Sequence, residues 1–205
     1  MLLNKLLIFT ILLAPFASAS PLSDGAMRLI QIGNEIGSRD VVLRGKALLL
    51  KGAFALNDFD AMYETSKQIR QGNELMGYAP QQRQANELLI KLVRRSYDTA
   101  LYNYALYLLD GSDGFIKNEL LALNLFEESF KVHSNADSAM MAGIIRNESL
   151  VPGTKARRRI DELITFAILN KVPGAQAYQT RYINKDYLHD LKPDSWRTWI
   201  DAQAL

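Results

Sequence analysis

Few residues in this chain have the type and spacing to do chemistry. The two histidines, His133 and His189, stand far apart, with no second ligand beside either. A metal site needs three or four converging donors, so both are read as structural or surface residues. The run Asp110-Gly111-Ser112-Asp113-Gly114 offers oxygens of the kind a calcium loop uses, but lacks the spacing and the closing glutamate. It reads better as a turn between two helices. There is no cysteine, which excludes a thiolate nucleophile, a thiolate metal site, a disulfide framework and a lipidated N-terminal cysteine. No G-x-S-x-G, S-x-x-K, H-E-x-x-H, phosphate-loop or dinucleotide pattern occurs. The expectation is a protein without catalytic residue, metal or cofactor.

Charge narrows the partners further. The 205 residues are 48% apolar and 22% charged, with a formal charge of +2. That is ordinary globular composition, enough for one domain, and too nearly neutral to imply nucleic acid or an anionic membrane surface. The basic runs Arg94-Arg95 and Lys155, Arg157, Arg158 and Arg159 read as solvated faces, the second also as a possible basic rim.

Residues 1–19 have the layout of a secretory signal peptide. Lys5 supplies the positive charge, residues 6–14 are an apolar run too short to span a bilayer, and Ala17-Ser18-Ala19 is a small-residue cleavage site. The mature chain is expected to begin at Ser20, in the periplasm of a Gram-negative bacterium, with no membrane insertion after cleavage. Asn147-Glu148-Ser149 fits a glycosylation sequon, a short pattern read as accidental.

The elements behind this surface recur. Helix-opening small residues fall at Ala26, Ala61, Ala100 and Ser138, spaced by 35, 39 and 38. Eleven positions after each comes Gly37, Gly72, Gly111 or Ser149, where a helix should end. A second helix then carries an apolar stripe: Ala47, Leu50, Phe54, Ala55; Ala85, Leu88, Leu92, Val93; Ala122, Leu125, Ser129, Phe130; Ile160, Leu163, Ala167, Ile168. Ser66, Ala105 and Gly143 are small enough to let paired helices approach closely. Glu127 is read as solvated. The best copy is 100–137. The fourth has Arg146 where an apolar residue is expected, and the first has Gln31 and Asn34 in place of a small and an apolar residue. The prediction is an all-α chain of four helical hairpins, about 26–60, 61–99, 100–137 and 138–174. A C-terminal cap over 175–205 follows, with Trp196 and Trp199 covering the last hairpin or docking a partner.

This layout resembles the Sel1-like repeat family, a relative of the tetratricopeptide repeat, over about 26–174. The resemblance implies an α-solenoid whose first helices line a concave, protein-binding face. The lining positions it implies lie two and six residues after each opening residue: Arg28, Tyr63, Tyr102 and Met140, then Ile32, Lys67, Leu106 and Ile144; packing against a neighbouring helix is the alternative reading of Tyr102, Met140 and Ile144. The expected function is that of an exported, non-catalytic protein-interaction module. A periplasmic immunity protein neutralising a secreted toxin such as a phospholipase is the alternative. A cell-envelope enzyme is a more distant one.

Overall fold

The computed structural model describes residues 20–149 and 154–180, with backbone alone at 149 and 154–156. The described residues form α1 (Pro21–Glu35), α2 (Arg39–Leu50) with a π-helical extension (Lys51–Ala55), α3 (Phe59–Gln71) and α4 (Gln82–Val93). They continue with α5 (Asp98–Asp110), α6 (Glu119–His133), α7 (Ala136–Ser149), α8 (Thr154–Leu169) and the short α9 (Ala175–Tyr178). The fold is all-α: one isolated bridge between Asn73 and Tyr78 is the sole β-pairing among the described residues. No helix among them is long and apolar enough to cross a membrane. His189, Trp196 and Trp199, and most of the expected cap, lie outside the described residues.

Local sequence explains where the helices start and stop. Ser20 caps α1 by accepting from the Ser23 N–H at 3.1 Å, and Pro21 follows, where its missing N–H has no helical partner to lose. Asp58 caps α3 through the Ala61 N–H, Asn118 caps α6 through Leu121, and Asn135 caps α7 through Ser138. Gly111 ends α5 in the left-handed region at φ 68°, a conformation that a side chain would strain. The following Ser112–Gly114 turn leads to α6. There Asp113 pairs with Arg70 at 3.2 Å, so this segment is a helix–helix turn tied to α3.

The helices pack as sequential hairpins, α1 on α2, α3 on α4, α5 on α6 and α7 on α8, and each hairpin meets the next through α2–α3, α4–α5 and α6–α7. The four opening positions, Ala26, Ala61, Ala100 and Ser138, are all fully buried. Close approach is visible where expected. The Ser66 hydroxyl donates to the Ala85 carbonyl across α3–α4 at 3.0 Å. At Gly143 an added Cβ would lie 2.5 Å from Ile164 Cδ1 across α7–α8. Two apolar clusters result. One holds Ile30, Leu49, Met62, Leu89 and Leu92; the other holds Leu101, Phe126, Met141, Ile144 and Leu163. Val93, Tyr104 and Phe115 pack against both, so the core is continuous through α4 and α5.

Two expectations are corrected. In the first hairpin the stripe at Ala47, Leu50, Phe54 and Ala55 is not the buried one. Ala47, Phe54 and Ala55 are exposed, and Val42, Gly45 and Leu49 are buried instead. Turn length is the cause. Ser38 alone separates Gly37 from α2, whereas residues 73–81 precede α4 and residues 112–118 precede α6. A shorter turn starts the second helix earlier and rotates another face inward. Glu127, in turn, is not solvated: it is half-buried, bonded to Arg146 and 3.7 Å from Arg159. The hydrogen bond to Glu127 holds the Arg146 guanidinium above its ordinary pKa, against the effect of burial. Arg146 therefore satisfies a carboxylate at the position where an apolar residue was expected.

Candidate interaction groove

A groove of about 1040 Å³ crosses the N-terminal parts of α1, α3, α5 and α7. Asp24 and Met27 enter it from α1, and Asp60, Tyr63, Glu64 and Lys67 from α3. Tyr97, Asp98 and Thr99 come from the start of α5, Asn135 and Asp137 from the start of α7, with His133 and Asn170 at the far side. Asp24, Asp60, Asp98 and Asp137 sit one or two residues before the opening positions Ala26, Ala61, Ala100 and Ser138. Each lies in the first turn of its helix, where a negative charge favours the helix dipole. Because the starts of the four helices converge on one groove, local helix-start chemistry becomes a ladder of four carboxylates along it.

The ladder is held in place by neighbours. Asp98 accepts from the Ser129 hydroxyl at 2.5 Å and from Asn135 Nδ2 at 2.8 Å, which ties α5 to α6 and α7. Asp60 accepts from the Tyr97 hydroxyl. Burial, with Asp98 as a lesser cause, raises the Asp137 carboxyl above its ordinary range, although the residue as a whole sits exposed at the rim. Burial likewise raises Tyr63 and Tyr97, so both phenols stay neutral. Their rings meet at 6.1 Å between centroids and form the apolar patch of the floor. Lys67 enters the groove, but its ammonium is 3.0 Å from Glu64 Oε1 and is answered there. The net character is acidic and aromatic.

The residues implied by the family resemblance divide. Tyr63 and Lys67 line the groove. Arg28 and Ile32 are exposed on α1 but outside the groove. Tyr102 and Leu106 are half-buried and packed on the C-terminal cluster, with Tyr102 edge-on to Phe126 at 5.5 Å. Met140 and Ile144 are fully buried and line nothing. The reason is legible in α7 itself. Its run Ala139-Met140-Met141-Ala142-Gly143-Ile144-Ile145 is apolar all round, and such a helix is enclosed on every side. Tyr97 and the four aspartates were missed because each also reads as ordinary helix-start chemistry. Their recurrence in step with the opening residues was the available signal.

The remaining candidates find structural uses. His133 contacts the Ser96 carbonyl through Nε2 at 2.6 Å. Among the described residues no group of three or more His, Cys, Asp or Glu side chains is placed to hold a metal. Asn147 is buried and donates to the Tyr178 hydroxyl at 3.1 Å, an environment with no room for a glycan. Arg159 pairs with Glu162 at 2.9 Å and Arg157 with Asp161 at 3.4 Å, so these two residues of the run belong to a charge-paired helix face. Comparison with protein-family models, curated proteins and solved structures returns no match.

Proposed function

We propose that the protein is an exported, non-catalytic interaction module, a short Sel1-like solenoid of four helical hairpins. On this reading it takes a basic segment of a partner protein into the groove across α1, α3, α5 and α7. The carrying observation is the carboxylate ladder Asp24, Asp60, Asp98 and Asp137 beside the Tyr63–Tyr97 floor. Lys or Arg side chains answer such a ladder, and aromatic rings accept their cationic or aliphatic parts. The solenoid reading is supported by in-step opening residues, hairpin-on-hairpin packing and the Gly-ended first helices α3 and α5. The non-catalytic reading is supported by the structural hydrogen bonds that occupy Asp60 and Asp98.

The test uses the mature chain as bait in periplasmic extract, then the recovered partner with two rim variants, Asp24→Lys and Asp137→Lys. Both residues are exposed, so folding should persist. Together they should weaken binding at least about tenfold, roughly 1.4 kcal/mol, while the chain still melts cooperatively, lowered by the few degrees that a cation in a helix's first turn costs. Unchanged affinity in the double variant removes the partner from the groove. A one-to-one complex with a secreted toxin would narrow the module to a neutralising protein.

A further inference from the structure

Ser20 is bonded to the start of α3 through both its main-chain nitrogen and its hydroxyl. Its N–H donates to Asp60 Oδ2 at 2.7 Å, and its hydroxyl donates to Asp58 Oδ2. Asp58 is also the N-cap of α3, and the other oxygen of Asp60 accepts from the Tyr97 hydroxyl. Ser20, Asp58, Asp60 and Tyr97 are all half-buried. Among the described residues no lysine, arginine or histidine forms an ion pair with Asp58 or Asp60. Asp24, in the first turn of α1, lines the same groove as Asp60. Two half-buried carboxylates are thus answered by neutral donors alone, beside a chain nitrogen that sits where the leader sequence is expected to be cut.

We propose that this is a receptor for the processed N-terminus: cleavage between Ala19 and Ser20 turns the Ser20 nitrogen into an α-ammonium that ion-pairs with Asp60 and locks α1 to α3 at the head of the groove. The inference rests on the export reading above. A leader peptidase hydrolyses the Ala19–Ser20 peptide bond. The oxygen of water completes the Ala19 carboxylate, and its two protons join the Ser20 N–H to make the ammonium. One of the three ammonium protons keeps the existing bond to Asp60. The helix dipole opposes a cation at the start of α1, so such a terminus needs close carboxylates, and Asp58 and Asp60 supply them. Register is strict. Cutting one residue earlier or later moves the nitrogen by about 3.8 Å along the chain, out of pairing distance.

Two measurements test this. The intact mass of the protein recovered from producing cells gives its N-terminus, expected at Ser20. The purified chain 20–205 is then melted with its α-amino group free and acetylated. Acetylation restores the amide and its N–H donor, so it removes only the charge. It should lower the melting temperature by about 2–4 °C in the natural chain, and by less than half as much in Asp60→Asn. Should that variant not fold, the natural chain alone decides: the acetylation penalty must shrink as salt rises from about 0.05 M to 1 M. A different N-terminus overturns the export reading and the receptor together. A Ser20 terminus with no acetylation penalty, or with one indifferent to Asp60 and to salt, overturns the receptor and leaves export standing.

Discussion

Single substitutions separate the groove from the core. Tyr102 lies against Phe126, so Tyr102→Ala removes packing and should cost about 2–4 kcal/mol in denaturant unfolding. Lys67→Ala removes little packing and should cost less than Tyr102→Ala, about 1 kcal/mol, since its ion pair with Glu64 is only half-buried. Asp137 gives a pH test. A carboxyl raised above its ordinary 3.8 holds its proton more tightly in the native state. It therefore favours folding below its unfolded pKa and opposes folding once pH passes its folded one. Asp137→Asn should raise the melting temperature slightly at pH 7 and change it little near pH 3. An equal gain at both pH values would mean that the charge of Asp137 is not the cause.

At the scale of the element, α6 offers the cleanest comparison. Phe126 is fully buried, and Phe126→Ala should cost about 3–5 kcal/mol. Asn124, exposed on the same helix, should change stability by less than about 0.5 kcal/mol on replacement by alanine. Glu127→Ala should fall between them, because it strands Arg146, which it now holds by hydrogen bond and charge. Gly143→Ala tests the α7–α8 approach: its Cβ would press on Ile164, and a loss of about 1–3 kcal/mol is expected. Periodicity was a sound guide to α4, α6 and α8, where Ala85, Ala122 and Ile160 open buried stripes. It failed in α2, whose small and apolar residues allow a stripe to be drawn through Ala47 as well as through Val42, Gly45 and Leu49. The turn at residues 36–38 chose between them, and its length was not legible from the residues that follow.

For the whole molecule, the groove reading predicts that partner binding weakens as salt rises, since the carboxylate ladder acts through exposed or half-exposed charges. Titration of the recovered partner at two ionic strengths checks this, and salt-independent affinity would point to an apolar contact elsewhere. The sequence by itself determined the helical class, the burial of Ala26, Ala61, Ala100 and Ser138 and the ends of α3 and α5, because small-residue burial and glycine C-caps are local, periodic signals. It also carried all four aspartates of the ladder, each as a first-turn acid of its own helix. Only the tertiary structure decided that these acids face one groove, that Met140 and Ile144 lie inside the core, and that Glu127 and Arg146 pair across helices. The reason is physical. Helix starts are set by residues within one turn of each other, whereas a helix's inward face depends on where its neighbours stand, and that is fixed by turn lengths and packing across 19 residues or more of chain.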